Sequence, residues 1–271
     1  HHVGAVPSSP ASSRRAPSSC DDVFIPPSPF SSTSVRSEPL SSLHTSMSTT
    51  RKATHIVVGV WNARSAVNKA LDISDLIVDR DLDVLCVTET WLRAEGDDVP
   101  IGEMTPPGYS LLHCPRLTGR GGGVAILYRQ HLKVRQCKLR SFTTFDNIEV
   151  CLAVGKRTVR LSVLYRPPPS QKNRLTVVDF LAEFTDFLSD DSLPAENTIL
   201  VGDLNFHMDK PDDTDTRRFI QLFSPLGFCQ LVTEPTHVKN HTLDVVLTRC
   251  TALVSRIDVE NLCMSDHFLV T

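Results

Sequence analysis

The sequence has 271 residues, a net charge of −3 and an apolar fraction of 41%: long for one domain, short for two, and without a compositional sign of a nucleic-acid binder. Its eight cysteines form no CxxC pair and mostly lie in apolar, strand-like runs, which favours buried reduced thiols over disulfides or a zinc site. No apolar run approaches a membrane span and no signal peptide is evident, so we predict an intracellular protein, nuclear or cytoplasmic, that is neither secreted nor bound to a membrane.

Residues 1–53 differ in composition from the rest of the chain. The first 50 residues contain 15 Ser and 7 Pro, with few large apolar residues. Such a segment cannot bury enough surface to offset the entropy that is lost on ordering. We therefore predict a disordered, low-complexity leader over residues 1–53 and a folded domain over residues 54–271.

From residue 54 onward, strand-like and helix-like segments alternate. The run HIVVGVWN is typical of a strand that ends at Asn62, and LDVLCVTET of a buried strand with Glu89 at its end. The segment between them, KALDISDLIVDR, has the apolar spacing of an amphipathic helix. Its apolar residues are Leu71, Ile73, Leu76 and Ile77.

Four β-rich runs with short gaps follow, and they are more typical of consecutive antiparallel strands than of βαβ units. They are GGGVAILYR, LKVRQCKL, NIEVCLAV and TVRLSVLYR, with Tyr165 near the end of the last. The run LTVVDFLAEFTDFL predicts a second amphipathic helix with its apolar residues on or near one face. These residues are Val177, Val178, Leu181, Phe184 and Leu188.

The remaining elements complete the predicted order. NTILVGD is a buried strand that ends at Asp203, and DTRRFIQLFSPLG is a third helix with Gly227 as its C-cap. HTLDVVLTR and CMSDHFLV supply late strands. This order predicts an α/β fold with two mostly antiparallel sheets packed face to face and helices outside.

Polar residues interrupt these apolar runs at or near the strand ends. They are Asn62, Glu89, Tyr165, Asp203, Asn205, Asp244, Asp266 and His267. Adjacent strand ends would place such side chains along one rim, where oxygen ligands suit a hard cation and polar groups can orient water. Mg²⁺ fits this set, because too few His and Cys residues stand together for zinc.

Six motifs occur in order along residues 56–271: WNARS, TETWL, LYRPP, GDLN, TLDVVLT and SDH. Together they resemble the endonuclease/exonuclease/phosphatase superfamily, and within it the apurinic-endonuclease-like domain of non-LTR (LINE-type) retrotransposons. The resemblance implies a four-layer α/β sandwich, which agrees with the order of the predicted elements. It also implies an endonuclease that uses Mg²⁺, or Mn²⁺ in its place.

The resemblance implies a metal role for three residues. Glu89 would bind the catalytic Mg²⁺, Asn62 would support the metal or its water network, and Asp266 would lie near the metal. Arg64 is a departure, since some relatives carry an acidic residue at this position, so a second metal ligand near Asn62 is in doubt.

The resemblance also implies catalytic roles. Asp203, helped by Asn205, would orient or activate the attacking water, because both side chains would point to one side of an extended segment. His267 would contact the scissile phosphate and stabilise charge on it, and Asp244 would hold His267 in orientation. Tyr165 would reach the phosphate or the carboxylate cluster.

Each of these residues has a plainer interpretation. Asp203 and Asn205 could form only an Asx turn, Glu89 could be a helix-capping acid, and Tyr165 could pack against the prolines that follow. Asp244 is harder to dismiss, because a buried acid needs a partner. Three other histidines are predicted to be surface residues or to act from behind the site: His207, His237 and His241.

Basic residues are concentrated between positions 116 and 166, where eleven Lys or Arg stand against two acids. Such a stretch could face a phosphate backbone, although solvated strand faces would give the same pattern. The residues that we select as DNA contacts are Arg116, Arg120, Arg135 and Arg166.

The predicted function is therefore that of a metal-dependent DNA endonuclease that nicks target DNA for a retroelement. We expect a monomer, with a reverse transcriptase domain in the full-length element. The alternatives are a phosphatase or phosphodiesterase of the same superfamily that acts on a small molecule or lipid head group, and an inactive retroelement remnant. The domain also stops a few residues into its expected last strand, so we predict a truncated C-terminal edge.

Overall fold

The computed structural model describes residues 55–117, 121–189 and 197–271, and the predicted leader lies outside them. The strands of the described residues are β1 Val58–Asn62, β2 Val84–Thr88, β3 Tyr109–Cys114, β4 Val124–Arg129, β5 Val134–Gln136, β6 Asp146–Val154, β7 Arg157–Tyr165, β8 Thr198–Asp203, β9 Cys229–Gln230, β10 Asp244–Thr248, β11 Val259–Glu260 and β12 Leu269–Val270. The helices are α1 Ala70–Asp79, α2 Asp98–Met104, α3 Val177–Leu188 and α4 Thr214–Phe223. None of these helices is long and apolar enough to cross a membrane.

The strands form two six-stranded sheets, in the orders β11-β12-β1-β2-β4-β3 and β5-β6-β7-β8-β10-β9. Each sheet has one parallel pair near its centre, β1 with β2 and β7 with β8, and its other pairs are antiparallel. The predicted class is confirmed. One detail is wrong: β4 pairs with β2 and β3 in the first sheet, so the four β-rich runs are not consecutive neighbours. Apolar periodicity identifies strands but not the partners of each strand.

Three apolar clusters separate the layers. The central cluster lies between the sheets and includes Val60 and Ile126 of the first sheet and Val163 and Val201 of the second. A second cluster joins α1 to the outer face of the first sheet around Trp61. The third is rich in phenylalanine and lies where α3 and α4 cover the second sheet. The order of layers is therefore helix, sheet, sheet, helix.

The helices bury narrower faces than their apolar residues suggested. In α3 the buried residues are Phe180, Phe184 and Phe187, whereas the predicted Val178 is 65% exposed. In α1, Leu71 is likewise exposed at 63%. In a helix with 3.6 residues per turn, a position two residues before a buried one points away from the core.

Capping residues define where the helices begin and end. The Thr176 hydroxyl accepts a hydrogen bond from the Asp179 N–H at the start of α3. The predicted Gly227 cap is present with φ +82°, although it ends a short 3₁₀ turn that follows α4 rather than α4 itself.

The cysteines only partly follow the prediction. Those of the described residues are free thiols, and Cys86 and Cys151 are buried as expected. Cys229, the first residue of the two-residue strand β9, and Cys263, in a bend between β11 and β12, are exposed. Cys20 falls outside the described residues.

Candidate active site

The predicted site residues lie where the two central parallel strand pairs end. In the first sheet Asn62 is the register partner of Thr88, the last residue of β2. In the second sheet Asp203 is the partner of both Tyr165 and Asp244, on its two neighbouring strands. The two rows face each other across the sandwich and form one polar rim.

Asn62 joins the two sheets at this rim. Its side-chain nitrogen donates to Glu89 Oε1 at 3.0 Å and to Asp203 Oδ2 at 2.8 Å. The Arg64 N–H donates to Asn62 Oδ1 at 3.0 Å, which directs the amide nitrogen to the acids. Because Asn62 is fully buried, these bonds hold both carboxylates in place.

The segment Asp203–Asn205 is an Asx turn and not the extended segment that the sequence predicted. The Asn205 N–H donates to Asp203 Oδ1 at 2.9 Å, and Asn205 has φ +53°. The turn nevertheless brings the two side chains together, since Asn205 Nδ2 lies 3.2 Å from Asp203 Oδ2. The same nitrogen donates to the Arg166 carbonyl at 2.8 Å, which anchors the turn to the end of β7.

His267 and Asp244 form a buried pair beside Asp203. Asp244 Oδ2 lies 2.8 Å from His267 Nδ1, and His267 Nε2 lies 3.7 Å from Asp203 Oδ2. The Trp61 indole N–H donates to the His267 carbonyl at 3.2 Å and so fixes the backbone of this residue. An imidazole that is held through Nδ1 presents Nε2 to the rim.

The electrostatics of this group shift two pKa values. Burial, together with the nearby Asp244, raises the pKa of Asp203 to about 7. Burial acts to lower the pKa of His267, but the charge and hydrogen bond of Asp244, followed by the charge of Asp203, raise it to about 9. At neutral pH the rim therefore holds an imidazolium next to an acid that can take a proton.

Glu89 is the acid of this group that solvent reaches, because it is half-buried whereas Asp203 is buried. Its φ of +50° turns the side chain out of the line of β2, and the Trp91 indole N–H donates to its Oε2 at 3.2 Å. Tyr165 is hydrogen-bonded to Glu89, and burial, with the charges of Glu89 and Asp203, raises the pKa of this phenol. Tyr165 thus remains protonated.

Asp266 lies beside the rim, but its carboxylate already has partners. Arg64 Nη1 lies 2.5 Å from Asp266 Oδ2, and His237 Nε2 lies 3.4 Å from the same oxygen. The Arg64 side chain is therefore ion-paired at the position where the sequence left a second metal ligand in doubt. His237 is buried, with its ring 4.9 Å from that of His267, and so lies behind the site rather than at the surface.

The four arginines that were selected as DNA contacts differ in position. Arg166 is only 3% exposed, and its guanidinium packs on Phe206 and donates to the Leu204 carbonyl at 2.9 Å. This corrects its selection, because a cation enclosed by the core cannot face a phosphate backbone. Arg120 falls outside the described residues.

Arg116 and Arg135 are accessible to different extents. Arg116 pairs with Asp146 at 2.7 Å and lies over the Tyr165 ring, which places it at the rim. Arg135 is exposed on β5 and is the register neighbour of Cys151, well along β6 from the rim residue Asp146. Their contacts with DNA stay predictions.

Three residues at the rim were missed by sequence analysis as parts of the site. Trp91 follows Glu89 by two positions in the quoted TETWL motif, and that spacing was the available signal. Asp146, which holds Arg116, and Trp61, which holds His267, act through contacts between distant parts of the chain. Such contacts leave no local pattern.

The donor set fits a hard divalent cation. Glu89 offers a solvent-accessible carboxylate beside the amide of Asn62, and Asp266 offers a second one that is 24% exposed and paired with Arg64. Asp203 is less suited to bind the ion, since its side chain is buried whereas Glu89 is half-buried. One or two accessible carboxylates with remaining water ligands are the environment that Mg²⁺ accepts.

Comparisons with known proteins agree with this geometry. The model of the Endonuclease/Exonuclease/phosphatase family matches residues 59–267. A relative in Drosophila melanogaster, the RNA-directed DNA polymerase from mobile element jockey, is 31% identical over 133 residues, which are 47% of this chain but 13% of that protein. The chain thus spans a small part of that relative's length.

Two solved structures show the same fold. The endonuclease domain of TRAS1, a telomere-specific non-LTR retrotransposon, has a TM-score of 0.62 at 16% identity, covering 79% of this chain and 94% of that one. The AP endonuclease LMAP from Leishmania major has a TM-score of 0.62 at 15% identity, covering 79% and 85%. The resemblance that the six motifs indicated is confirmed, and the chain belongs to the Endonuclease/Exonuclease/phosphatase family.

Proposed function

We propose that this protein is a Mg²⁺-dependent phosphodiester hydrolase that nicks one strand of DNA as part of a retroelement. The observation that carries the proposal is the chain of contacts from the half-buried Glu89 through Asn62 to the buried Asp203, with the Asp244–His267 pair at its end. It combines an accessible acid for a cation, a proton acceptor and an oriented imidazolium within one rim.

In this mechanism Asp203 orients a water molecule and takes its proton as the oxygen attacks phosphorus. A pKa of about 7 suits this role, because a general base works best when its pKa lies near the operating pH. Asn205 and Asn62 hold the Asp203 carboxylate by their amide N–H groups. When bound at Glu89, Mg²⁺ would supply Lewis-acid polarisation of a phosphoryl oxygen.

His267 acts on the phosphate. Its protonated Nε2 side faces the rim beside Asp203, where it can donate to a non-bridging oxygen that gains charge as the water oxygen attacks phosphorus. The leaving oxygen takes a proton from solvent as its P–O bond breaks. Asp244 keeps the imidazole charged and oriented through Nδ1. These residues serve the transition state more than substrate binding.

DNA as the substrate is supported by the retroelement relatives. The jockey relative is described as an RNA-directed DNA polymerase, and the TRAS1 structure as an endonuclease domain. We infer from them that a reverse transcriptase domain accompanies this one in the full element. Arg116 supplies a cation at the rim close to Tyr165.

A plasmid assay tests the proposal. The full chain should convert supercoiled plasmid to the nicked form with Mg²⁺ or Mn²⁺ and should be inert in EDTA. Parallel assays with inositol phosphates and other small phosphate esters test the phosphatase alternative. Turnover of these esters without nicking would refute DNA as the substrate, and activity on neither substrate would indicate an inactive remnant.

Substitutions at the rim test the division of roles. Asp203→Ala and His267→Ala should each lower kcat by about 10²-fold or more with little change in DNA affinity. The double variant should be scarcely worse than the more damaged single variant, because both residues act on one event. Nicking by Asp203→Ala at the wild-type rate would show that GDLN is only a turn.

Arg135→Ala serves as the matched control. If Arg135 touches only backbone phosphate, its loss should weaken binding modestly and reduce the salt slope by about one, without stopping the reaction. A DNA-binding titration at several salt concentrations measures both quantities.

A further inference from the structure

A second group of possible metal ligands lies outside the rim. His207 and Asp209 follow the Asx turn after β8, and His241 lies just before β10. One ligand atom from each of the three side chains lies within 4.8 Å of the other two. None of the three takes part in the contacts of the rim that were described above.

The backbone around this group is held in place. The Met208 N–H donates to the Thr242 carbonyl at 2.9 Å, and the Thr242 N–H donates to Asp209 Oδ1 at 3.0 Å. These two bonds fasten the segment after β8 to the segment before β10. The three side chains are therefore positioned by the fold and do not need to be gathered from a flexible loop.

The side chains of this group lie close together, and one of their nitrogen atoms has no hydrogen-bond partner in the described part of the chain. The rings of His207 and His241 lie 4.1 Å apart and are tilted by 59°, so they converge without stacking. Asp209 Oδ2 lies 3.0 Å from His241 Nδ1. His207 Nδ1 is buried and has no hydrogen-bond partner among the described residues, which is an unfavourable state for a ring nitrogen unless something binds it.

We propose that His207, Asp209 and His241 form a second metal site that takes a transition-metal ion of the Zn²⁺ type in preference to Mg²⁺. Two imidazoles and one carboxylate suit Zn²⁺ at distances near 2 Å, whereas Mg²⁺ favours oxygen ligands. Small side-chain rotations would close the present spacing around one ion, and water would complete the tetrahedron.

The position of the site suggests what the ion does. His207 lies two positions after Asn205, and His241 lies three positions before Asp244. An ion held between them would tie the Asx turn of β8 to the start of β10, the two segments that carry the proton acceptor and the partner of His267. The site would thus stabilise the rim without taking part in the reaction.

The test is a Zn²⁺ titration of the full chain by calorimetry, with millimolar Mg²⁺ present to occupy the oxygen-rich rim. Wild type should bind one Zn²⁺ per chain more than His207→Ala or His241→Ala, or should bind it with an affinity about tenfold or more above theirs, since even outer partners of a metal contribute about 10–100-fold. His131→Ala is the matched control, because this exposed histidine lies elsewhere on the surface. It should bind as wild type does.

Two further variants separate loss of the second metal site from unfolding and from metal binding at the rim. Asp209→Asn keeps the shape of the side chain and should still weaken Zn²⁺ binding. It therefore separates loss of a ligand from unfolding of the alanine variants, and metal-free melting temperatures show whether each variant is folded. Asp203→Asn changes the rim and should leave Zn²⁺ binding intact. Histidines of residues 1–53 would bind equally in every variant and so cancel.

Equal Zn²⁺ binding by wild type and His207→Ala would overturn the proposal, and the group would then be only a hydrogen-bonded clamp. Loss of binding in Asp203→Asn with retention in His241→Ala would also overturn it, by placing the ion at the rim. Substitution with Co²⁺ provides a spectroscopic check, since visible absorption of tetrahedral intensity should be lost in the same variants that lose Zn²⁺.

Discussion

Replacement of Asn62 by aspartate tests the rim directly, whatever the protein acts on. The change keeps the shape of the side chain but turns the donor between Glu89 and Asp203 into a third carboxylate. The distances that now join the amide nitrogen to these acids, 3.0 and 2.8 Å, would then separate like charges. Because Asn62 is fully buried, water would screen these charges only weakly.

The magnitude follows from these distances. At an effective dielectric constant of about 20, two unit charges about 3 Å apart repel by about 5 kcal/mol. The new acid can take up a proton instead, which for a group with a pKa of about 3.9 costs about 5–6 kcal/mol at pH 8. We therefore expect Asn62→Asp to lose about 4–6 kcal/mol of unfolding free energy at pH 8, a large part of the stability of a typical domain.

The sign of the pH dependence is fixed by the same argument. The pKa of the new carboxyl group is raised in the folded state, so the folded state binds more protons than the unfolded state between the two pKa values. The deficit should then shrink by about 1.4 kcal/mol for each unit by which the pH falls from 8 to 6. Asn62→Ala, which lacks the charge, should show no such added slope.

Urea unfolding at pH 6, 7 and 8 in EDTA measures these differences, and Mg²⁺ should raise the stability of Asn62→Asp more than that of wild type. A variant Asn62→Asp that is within about 1 kcal/mol of Asn62→Ala at every pH would refute the described rim geometry.

Three further predictions concern the fold. Glu183 accepts hydrogen bonds from the N–H and hydroxyl groups of Thr143 and Thr144. Burial acts to raise the pKa of Glu183, but these hydrogen bonds lower it. Glu183→Gln should therefore lower the unfolding free energy by about 1–2 kcal/mol near neutral pH. That cost should vanish in urea melts as the pH falls from about 5 to about 3, because the contribution of a lowered pKa is lost with acid. Gly202→Ala should cost about 3 kcal/mol or more in the same melts, since φ is +128° and an added Cβ would overlap the carbonyl of the neighbouring strand. Deletion of residues 1–53 should leave the melting temperature and nicking unchanged, and a large drop would show that the leader belongs to the domain.

The layers of the fold could be predicted from the sequence because each apolar run reports a buried face. Strand ends at Asn62 and Asp203 agree with the structure, as does the class of fold. Partners of strands could not be predicted, since β4 has the same apolar pattern whether it joins the first sheet or the second. The missed strand β3 has no alternation that separates it from a loop, with most of its residues only half-buried.

The site could be predicted as a set of residue types but not as a set of contacts. The ordered motifs indicated Asp203, His267 and their partners, which the structure brings together. Burial of Arg166 beneath its neighbouring phenylalanines could not be predicted, because an arginine after a strand is usually solvated. The ion pair of Arg64 with Asp266 joins positions about 200 residues apart, and no local pattern reports such a contact.

Backbone conformation at the rim explains why the site residues, unlike the core residues, show no periodic sequence pattern. Glu89, Trp91 and Asn205 have φ of +50°, +56° and +53°, a region that costs non-glycine residues on the order of 1–3 kcal/mol each. Neighbouring segments enforce it: the Ser65 N–H donates to the Glu89 carbonyl at 2.8 Å, and the Trp91 N–H to the Gly122 carbonyl at 2.9 Å. The backbone that positions the polar side chains of the rim therefore lowers the stability of the fold. The apolar clusters between the layers must offset this loss. Residues that pack in the core therefore recur with the period of their helix or strand, whereas residues that hold polar side chains at the site occur singly in the sequence.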